Sequence, residues 1–147
     1  MTITKYLHSC LLVEHEGIFL IDPGDYTYQA RLLKNTEFQH IDYILITHEH
    51  ADHFSLPFVE EIKELSPGVI IISTPSVVAK LNEKGIQATT QGNDIVHVEN
   101  IPHEEILFYP VPENLKFTLS NKLIHPGDSL QFTTATEIIA MPMTAPW

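Results

Sequence analysis

A dense cluster of histidines and carboxylates is the feature that most constrains this chain. Three histidines and two acidic residues fall within the seven residues 47–53. The cluster directly follows the short apolar run 41–46, which is typical of a buried strand. After it, residues 55–65 carry apolar side chains at helical spacing, with Pro57 suited to the first turn of a helix. The cluster is therefore predicted to lie where a strand ends and a helix begins, a position where α/β folds commonly bind ligands.

The residue types in this cluster are those that bind divalent metal ions. Neutral imidazole and carboxylate groups are ligands of Zn²⁺ and of related ions. His48 and His50 are two positions apart, so an extended stretch would turn both rings to one side. Asp52 and His53 are adjacent, and on a tight turn they would face a neighbouring position. One turn could thus begin two metal sites, the arrangement used for hydrolysis by a bridging hydroxide. The competing interpretation is a solvated, histidine-rich loop.

The same residues carry a resemblance to a known family. Residues 48–53 read H-E-H-A-D-H, which matches the H-x-H-x-D-H signature of the metallo-β-lactamase-fold hydrolases. Residues 6–14 and 18–24 resemble the opening hairpin of that superfamily, residues 124–129 resemble its later G-D turn, and the terminal M-P-M-T-A-P-W resembles a segment of small bacterial members. The resemblance implies an α/β fold, an αββα sandwich of two mixed β-sheets flanked by helices, formed as one domain by residues 1–147.

The resemblance also implies a ligand set. His103 stands where the family supplies its third histidine, and Asp128 stands where a carboxylate bridges two metals, for which it has enough lone pairs. The implied first site is His48, His50 and His103, and the implied second site is Asp52, His53 and Asp128.

Two acidic residues are assigned further roles. Asp52, as a ligand of the second site, would also be catalytic, orienting the nucleophile and passing a proton to the leaving group. Asp22 would either brace the metal loop by accepting an imidazole N–H, or only cap a turn.

The C-terminal end of the chain departs from the family's pattern. The family continues with a helix over the second sheet and a final histidine for the second metal, but no histidine follows His125 here. We therefore expect a C-terminally incomplete fold and a weaker second site. The last predicted strand, residues 137–143, would lack cover, so we expect a homo-oligomer formed through that strand, or else a chain cut from a longer gene product.

These features together predict a metal-dependent hydrolase. Zn²⁺ is the expected cofactor, as one or two ions, with Mn²⁺ or Fe as alternatives. A metal-bound hydroxide would cleave an ester, lactone or phosphoester-type bond of a small molecule, and a resemblance to the lactonase-like group favours a cyclic or phosphorylated substrate. One alternative is a truncated, non-catalytic metal-binding remnant or interaction module. Another is a di-iron redox protein, which usually replaces a signature histidine with an acid, whereas His50 and His53 are both present.

Composition excludes several other classes of partner. A net charge of −11 over 147 residues argues against binding a nucleic acid or an anionic membrane, both of which require basic patches. Cys10 is the only cysteine, so no internal disulfide can form, and its apolar neighbours predict that it is packed. No signal peptide or membrane-spanning stretch is recognised, and the expected location is the cytoplasm.

The remaining segments predict alternating strands and helices. His97 is expected to be exposed on its strand, while His8 and His125 are left out of the ligand set. The predicted strands are 3–7, 10–14, 18–22, 69–74, 86–88, 94–99 and 122–125, with a helix at 75–84 and a helix or loop at 26–35.

Overall fold

The computed structural model describes residues 1–30, 38–105, 110–131 and 136–141. Its elements in chain order are β1 (Thr2–Lys5), β2 (Leu11–His15), β3 (Gly17–Ile21), α1 (Asp25–Ala30), β4 (Tyr43–Ile46), α2 (Leu56–Leu65), β5 (Ile70–Ser73), α3 (Pro75–Glu83), β6 (Val96–Asn100), β7 (Leu115–Leu119), β8 (Leu123–His125) and β9 (Ile138–Ile139).

The strands form two mixed sheets, as predicted. The first has the order β1-β2-β3-β4-β5, in which β1 to β3 are antiparallel and β3, β4 and β5 run parallel. The second has the order β6-β7-β8-β9, antiparallel except for the parallel pair β8 and β9. The expectation of an α/β fold with two mixed sheets is confirmed.

Alternating residues of the first sheet build two separate cores. Leu20, Ile44 and Ile71 pack with the helices in one cluster. Phe19 and Leu45, their neighbours in the chain, point to the other face and pack against the second sheet. Because successive strand residues face opposite sides, a strand buried on both faces must be apolar throughout. This explains the unbroken runs of Ile, Leu and Val in the central strands.

The two longer helices cover the first sheet. In α2, Val59 and Ile62 are fully buried. The helix begins at Leu56, and the Ser55 hydroxyl makes no capping hydrogen bond. In α3, Val77 and Leu81 are buried, and the Thr74 hydroxyl accepts a hydrogen bond from the Val77 N–H. Within the described ranges, no helix is both long and apolar enough to cross a membrane.

Three predicted elements differ from the structure. Residues 86–88 form no strand; a single bridge joins Ile72 to Thr89 instead. The chain turns soon afterwards because the Asn93 side chain accepts the N–H groups of residues 95 and 96. For residues 26–35 the prediction was a helix or a loop; α1 covers Asp25–Ala30, and residues 31–37 lie outside the described ranges. The last strand is only Ile138–Ile139, and its predicted end at residues 142–143 also lies outside them.

Candidate metal centre

The site residues come from loops that begin where strands end. Asp22 follows β3, residues 47–53 follow β4, and Asp128 is the third residue after β8. His103 lies in the loop between β6 and β7. The Leu115 N–H of the second sheet donates to the Thr47 carbonyl at 3.0 Å, so the two sheets are joined beside the cluster. Both sheets therefore contribute side chains to one site.

The first group of donors contains the three predicted histidines. His48 Nε2 lies 3.1 Å from His50 Nδ1, and the His103 ring is nearly perpendicular to both, at centroid distances of 4.7 and 5.1 Å. His103 Nδ1 donates to the Glu104 carbonyl, which leaves Nε2 as its inward atom. With Asp128, these residues offer one donor atom each, all within 4.8 Å of one another.

The second group of donors lies directly beside the first. It consists of Asp52, His53 and Asp128, again with donor atoms within 4.8 Å of one another. Asp128 belongs to both groups, and its two oxygens divide between them. Oδ1 lies 3.3 Å from His53 Nε2, while Oδ2 lies 3.6 Å from His103 Nε2. This is the orientation a carboxylate needs to bind two neighbouring cations.

Asp22 is fully buried beneath this cluster and accepts hydrogen bonds from several directions. Its Oδ2 is 2.8 Å from His53 Nδ1 and 2.8 Å from His125 Nε2. Its Oδ1 accepts the Thr47 N–H at 2.8 Å, and the Thr47 hydroxyl also donates to it. The Asp22 side chain thus accepts hydrogen bonds from both Thr47 and His53 of the metal turn. Because His53 Nδ1 donates to Asp22, Nε2 is the ring atom turned toward the second group.

Two residues of this support were not assigned roles from the sequence. The Thr47 hydroxyl donates to Asp22, so it accepts from His48 Nδ1 at 3.0 Å, which directs His48 Nε2 toward His50 and the first donor group. His125 directs Nε2 to Asp22 and Nδ1 to the Ala140 carbonyl at 2.9 Å, so it ties the end of β9 to the cluster. The sequence signal for Thr47 was its position directly before the H-x-H-x-D-H signature. The sequence signal for His125 was its place in the H-P-G-D run that carries Asp128.

The turn that carries Asp128 is held by a buried asparagine. Asn114 donates to the Pro126 carbonyl at 3.0 Å and accepts the Asp128 N–H at 3.2 Å. Gly127 has φ of +57°, and a Cβ there would stand 2.1 Å from Asn114 Oδ1. Glycine therefore suits this position, because a side chain would be strained at this φ and would crowd Asn114.

A second glycine lets the metal turn pack against the end of β3. A Cβ on Gly24 would stand 2.1 Å from the Asp52 carbonyl oxygen and 2.8 Å from the His53 backbone nitrogen. Asp25 N–H donates to the Ala51 carbonyl at 2.6 Å, and Ser55 N–H donates to the Pro23 carbonyl at 3.0 Å. The backbone of residues 51–55 is thus fixed to residues 23–25, which fixes the direction of Asp52 and His53.

The ionisation states of His48, His50 and Asp52 suit cation binding, whereas His53 must first release a proton. Burial, with the neighbouring imidazole charges, lowers the pKa of His48 to about 2, so its ring is neutral at pH 7. Burial likewise lowers the pKa of His50. Burial alone would raise the pKa of Asp52, but hydrogen bonding to His53 and its charge lower it to about 2. For His53, burial acts downward, but Asp22 and the other carboxylates outweigh it and hold the pKa well above its usual value.

The other residues considered from sequence lie apart from both donor groups. His97 is exposed on β6, as predicted. His8 is exposed and stacks on Tyr26 at a centroid distance of 3.9 Å. Glu49, although it belongs to the sequence cluster, pairs with Lys80 of α3 at 2.6 Å. Cys10 is completely buried, as predicted, and burial raises the pKa of its thiol to about 12, so it offers no thiolate.

The fold and the donor groups together define a class of protein. The two mixed sheets, the helices that cover the first of them, and a His/Asp cluster able to hold metal where strands end match the metallo-β-lactamase superfamily of metal-dependent hydrolases. The chain belongs to this superfamily, because the family model described as "Beta-lactamase superfamily domain" matches residues 18–137.

The chain is also similar in sequence or in fold to several known proteins. Protein Rv0786c of Mycobacterium tuberculosis is 29% identical, over 100% of this chain and 73% of its own length. A proposed metal-dependent hydrolase from Parabacteroides distasonis shares the fold with a TM-score of 0.58 and 20% identity, over 83% of this chain and 58% of that one. A metallo-beta-lactamase from Pontibacter korlensis has a TM-score of 0.50 and 20% identity, over 89% of this chain and 68% of that one. The chain thus spans less than two thirds of the Parabacteroides protein.

Proposed function

We propose that this protein hydrolyses an ester, lactone or phosphoester-type bond of a small molecule with two divalent cations. The observation that carries the proposal is the pair of adjacent donor groups that share Asp128. His48, His50 and His103 would hold the first cation, and Asp52, His53 and Asp128 would hold the second. When bound, such cations supply Lewis acidity, which lowers the pKa of water and polarises the oxygen of the bond to be cleaved.

Zn²⁺ is the cation that we propose for the first position. The donors there are three imidazoles and one carboxylate oxygen, which suit Zn²⁺ and also Mn²⁺ or Fe²⁺. The fit is supported by the tautomers, because the contacts of His48 and His103 on Nδ1 leave Nε2 of each ring facing the cluster. Neutral rings bind without first releasing a proton, and His48 is neutral at pH 7.

The acidic residues would do different work in the reaction. Asp128 would hold the two cations at a fixed separation, since one of its oxygens faces each group. Asp52 is about one third exposed and ionised, so it is the acid of the cluster that solvent and substrate can reach. We assign it to orient the attacking water, accept its proton and pass a proton to the leaving group. Asp22 would fix the direction of His53 from beneath.

The net charge and the family resemblance support a substrate class. A net charge of −11 favours a small substrate over a nucleic acid, and bound cations would offset that charge locally. The lactonase-like resemblance favours a cyclic or phosphorylated molecule. We place the reaction in the cytoplasm and treat residues 1–147 as one domain, since both sheets supply donors to one cluster.

A metal-loading experiment with histidine variants tests the proposal. The protein is purified without added metal, loaded with Zn²⁺, and assayed on a generic lactone and on a nitrophenyl phosphodiester. His50→Ala should lose at least about a hundredfold of the activity, because a metal ligand is removed. His97→Ala is the matched control, since it removes an exposed histidine from β6. Equal activity of the two variants, or failure of the unaltered protein to bind metal, would disprove the proposed function.

A further inference from the structure

The hydroxyl of Ser9 lies at the second donor group. Ser9 Oγ is 3.0 Å from His53 Nε2, although the two residues are 44 positions apart in the chain. His53 Nδ1 is engaged by Asp22, so Nε2 is the ring atom that faces the cation position. The serine oxygen is therefore directed at the same atom that we assign to bind the second cation.

Two carboxylate oxygens approach this nitrogen as well. Asp52 Oδ2 is 3.4 Å and Asp128 Oδ1 is 3.3 Å from His53 Nε2. Three oxygens from three separate segments thus converge on one imidazole nitrogen. A serine hydroxyl has two lone pairs, so its oxygen can bind a cation while its proton is donated elsewhere.

The loop that carries Ser9 is held in place on both sides. Tyr6 N–H donates to the Cys10 carbonyl at 2.9 Å, and Cys10 N–H donates to the Leu7 carbonyl at 3.2 Å. The Thr27 hydroxyl of α1 donates to the same Leu7 carbonyl at 3.0 Å. Cys10 is completely buried next to Ser9 and fixes the loop against the core. The position of the Ser9 hydroxyl is therefore set by the fold.

We propose that Ser9 is a ligand of the second cation, which it binds together with Asp52, His53 and Asp128. The inference rests on the proposed function insofar as it requires a cation at that group. The completed set has three oxygen donors and one nitrogen donor, whereas the first group has three nitrogen donors and one oxygen donor. Oxygen donors suit Mn²⁺ and imidazoles suit Zn²⁺. The preference for Zn²⁺ over Mn²⁺ is therefore smaller at the second position than at the first.

A cysteine substitution gives a direct readout of contact between residue 9 and the ion. In Ser9→Cys, a thiolate would replace the hydroxyl, and a Co²⁺ ion bound to it would show a sulfur-to-cobalt charge-transfer band in the near ultraviolet. The protein is kept reduced with a phosphine and titrated with Co²⁺. Ser120→Cys is the matched control, because Ser120 lies at the β7–β8 turn and donates to Glu16.

The expected result is a band in Ser9→Cys that appears as the second equivalent of Co²⁺ binds, with no band in Ser120→Cys or in the unaltered protein. In Ser9→Ala, the dissociation constant for the second ion should rise about tenfold, with the first unchanged. Three outcomes would overturn the Ser9 inference without touching the proposed function. They are two bound ions with no band in Ser9→Cys, a band in both cysteine variants, and an unaltered affinity in Ser9→Ala. If the unaltered protein binds no second ion, the two-cation function fails with it.

Discussion

Replacing Gly24 with alanine should displace the metal turn while leaving the rest of the fold in place. The Cβ of Gly24→Ala would stand 2.1 Å from the Asp52 carbonyl oxygen and 2.2 Å from its carbonyl carbon. Both are backbone atoms, so no side chain can rotate to relieve the contact. The two segments must move apart, and the hydrogen bond from Asp25 N–H to the Ala51 carbonyl opposes this.

The size of the displacement follows from these distances. Separations below 3.0 Å essentially do not occur for a real Cβ, so the oxygen now at 2.1 Å must move by at least about 0.9 Å. Overpacking of this kind costs about 1–3 kcal/mol of stability. A misplacement of about 1 Å at a reacting centre costs about a hundredfold in rate. The loss should fall on Asp52 and His53, the residues whose backbone is displaced.

Calorimetric metal titration of Gly24→Ala, together with urea denaturation, measures both effects. We expect weaker binding of the second cation, about a hundredfold lower hydrolysis, and a first cation bound nearly as before. Gly68→Ala is the matched control, because a Cβ at Gly68 meets nothing within 4 Å. If Gly24→Ala behaves like Gly68→Ala, the close approach does not fix the metal turn, and the reasoning is wrong.

Three further predictions concern the support beneath the site, protonation and the C-terminal strand. Asp22→Asn should lower the free energy of unfolding by about 3 kcal/mol at pH 7, because buried donors lose a charged acceptor. Burial would raise the pKa of Asp22, but His53 and His125 outweigh it and hold this pKa below the usual aspartate range. The stabilisation by ionised Asp22 is therefore complete above that range and is lost as the pH falls below it, so the difference between the two proteins in urea denaturation should shrink there. Binding of the second cation should release about one proton, because the raised pKa of His53 keeps its ring protonated in the metal-free protein. The affinity for the second cation should therefore rise with pH. Calorimetric titration in buffers of different protonation enthalpy measures the released proton, and equal heats in all buffers would disprove the release. Met141 follows β9 and is 41% exposed, so it should promote self-association. Met141→Glu should sediment as a smaller species than the unaltered protein, and identical sedimentation would count against this role of Met141.

The sequence determined the parts of this protein that depend on neighbouring residues. The apolar run before residue 47 predicted β4, and helical spacing after residue 55 predicted α2, because both patterns repeat within a few positions. The H-x-H-x-D-H run predicted the donor residues of the metal turn for the same reason, and resemblance added His103 and Asp128. All six lie in the two donor groups.

Tertiary structure alone decided how these donors are directed and supported. Asp22 contacts His53 and His125, which are 31 and 103 positions away in the chain, and Ser9 meets His53 across 44 positions. No local pattern encodes such contacts, because they arise only when the two sheets pack and bring the ends of β3, β4 and β8 together. The packing also separated Glu49 from the site by pairing it with Lys80. Sequence therefore chose the chemical groups, and long-range packing set which atom of each group faces the cation.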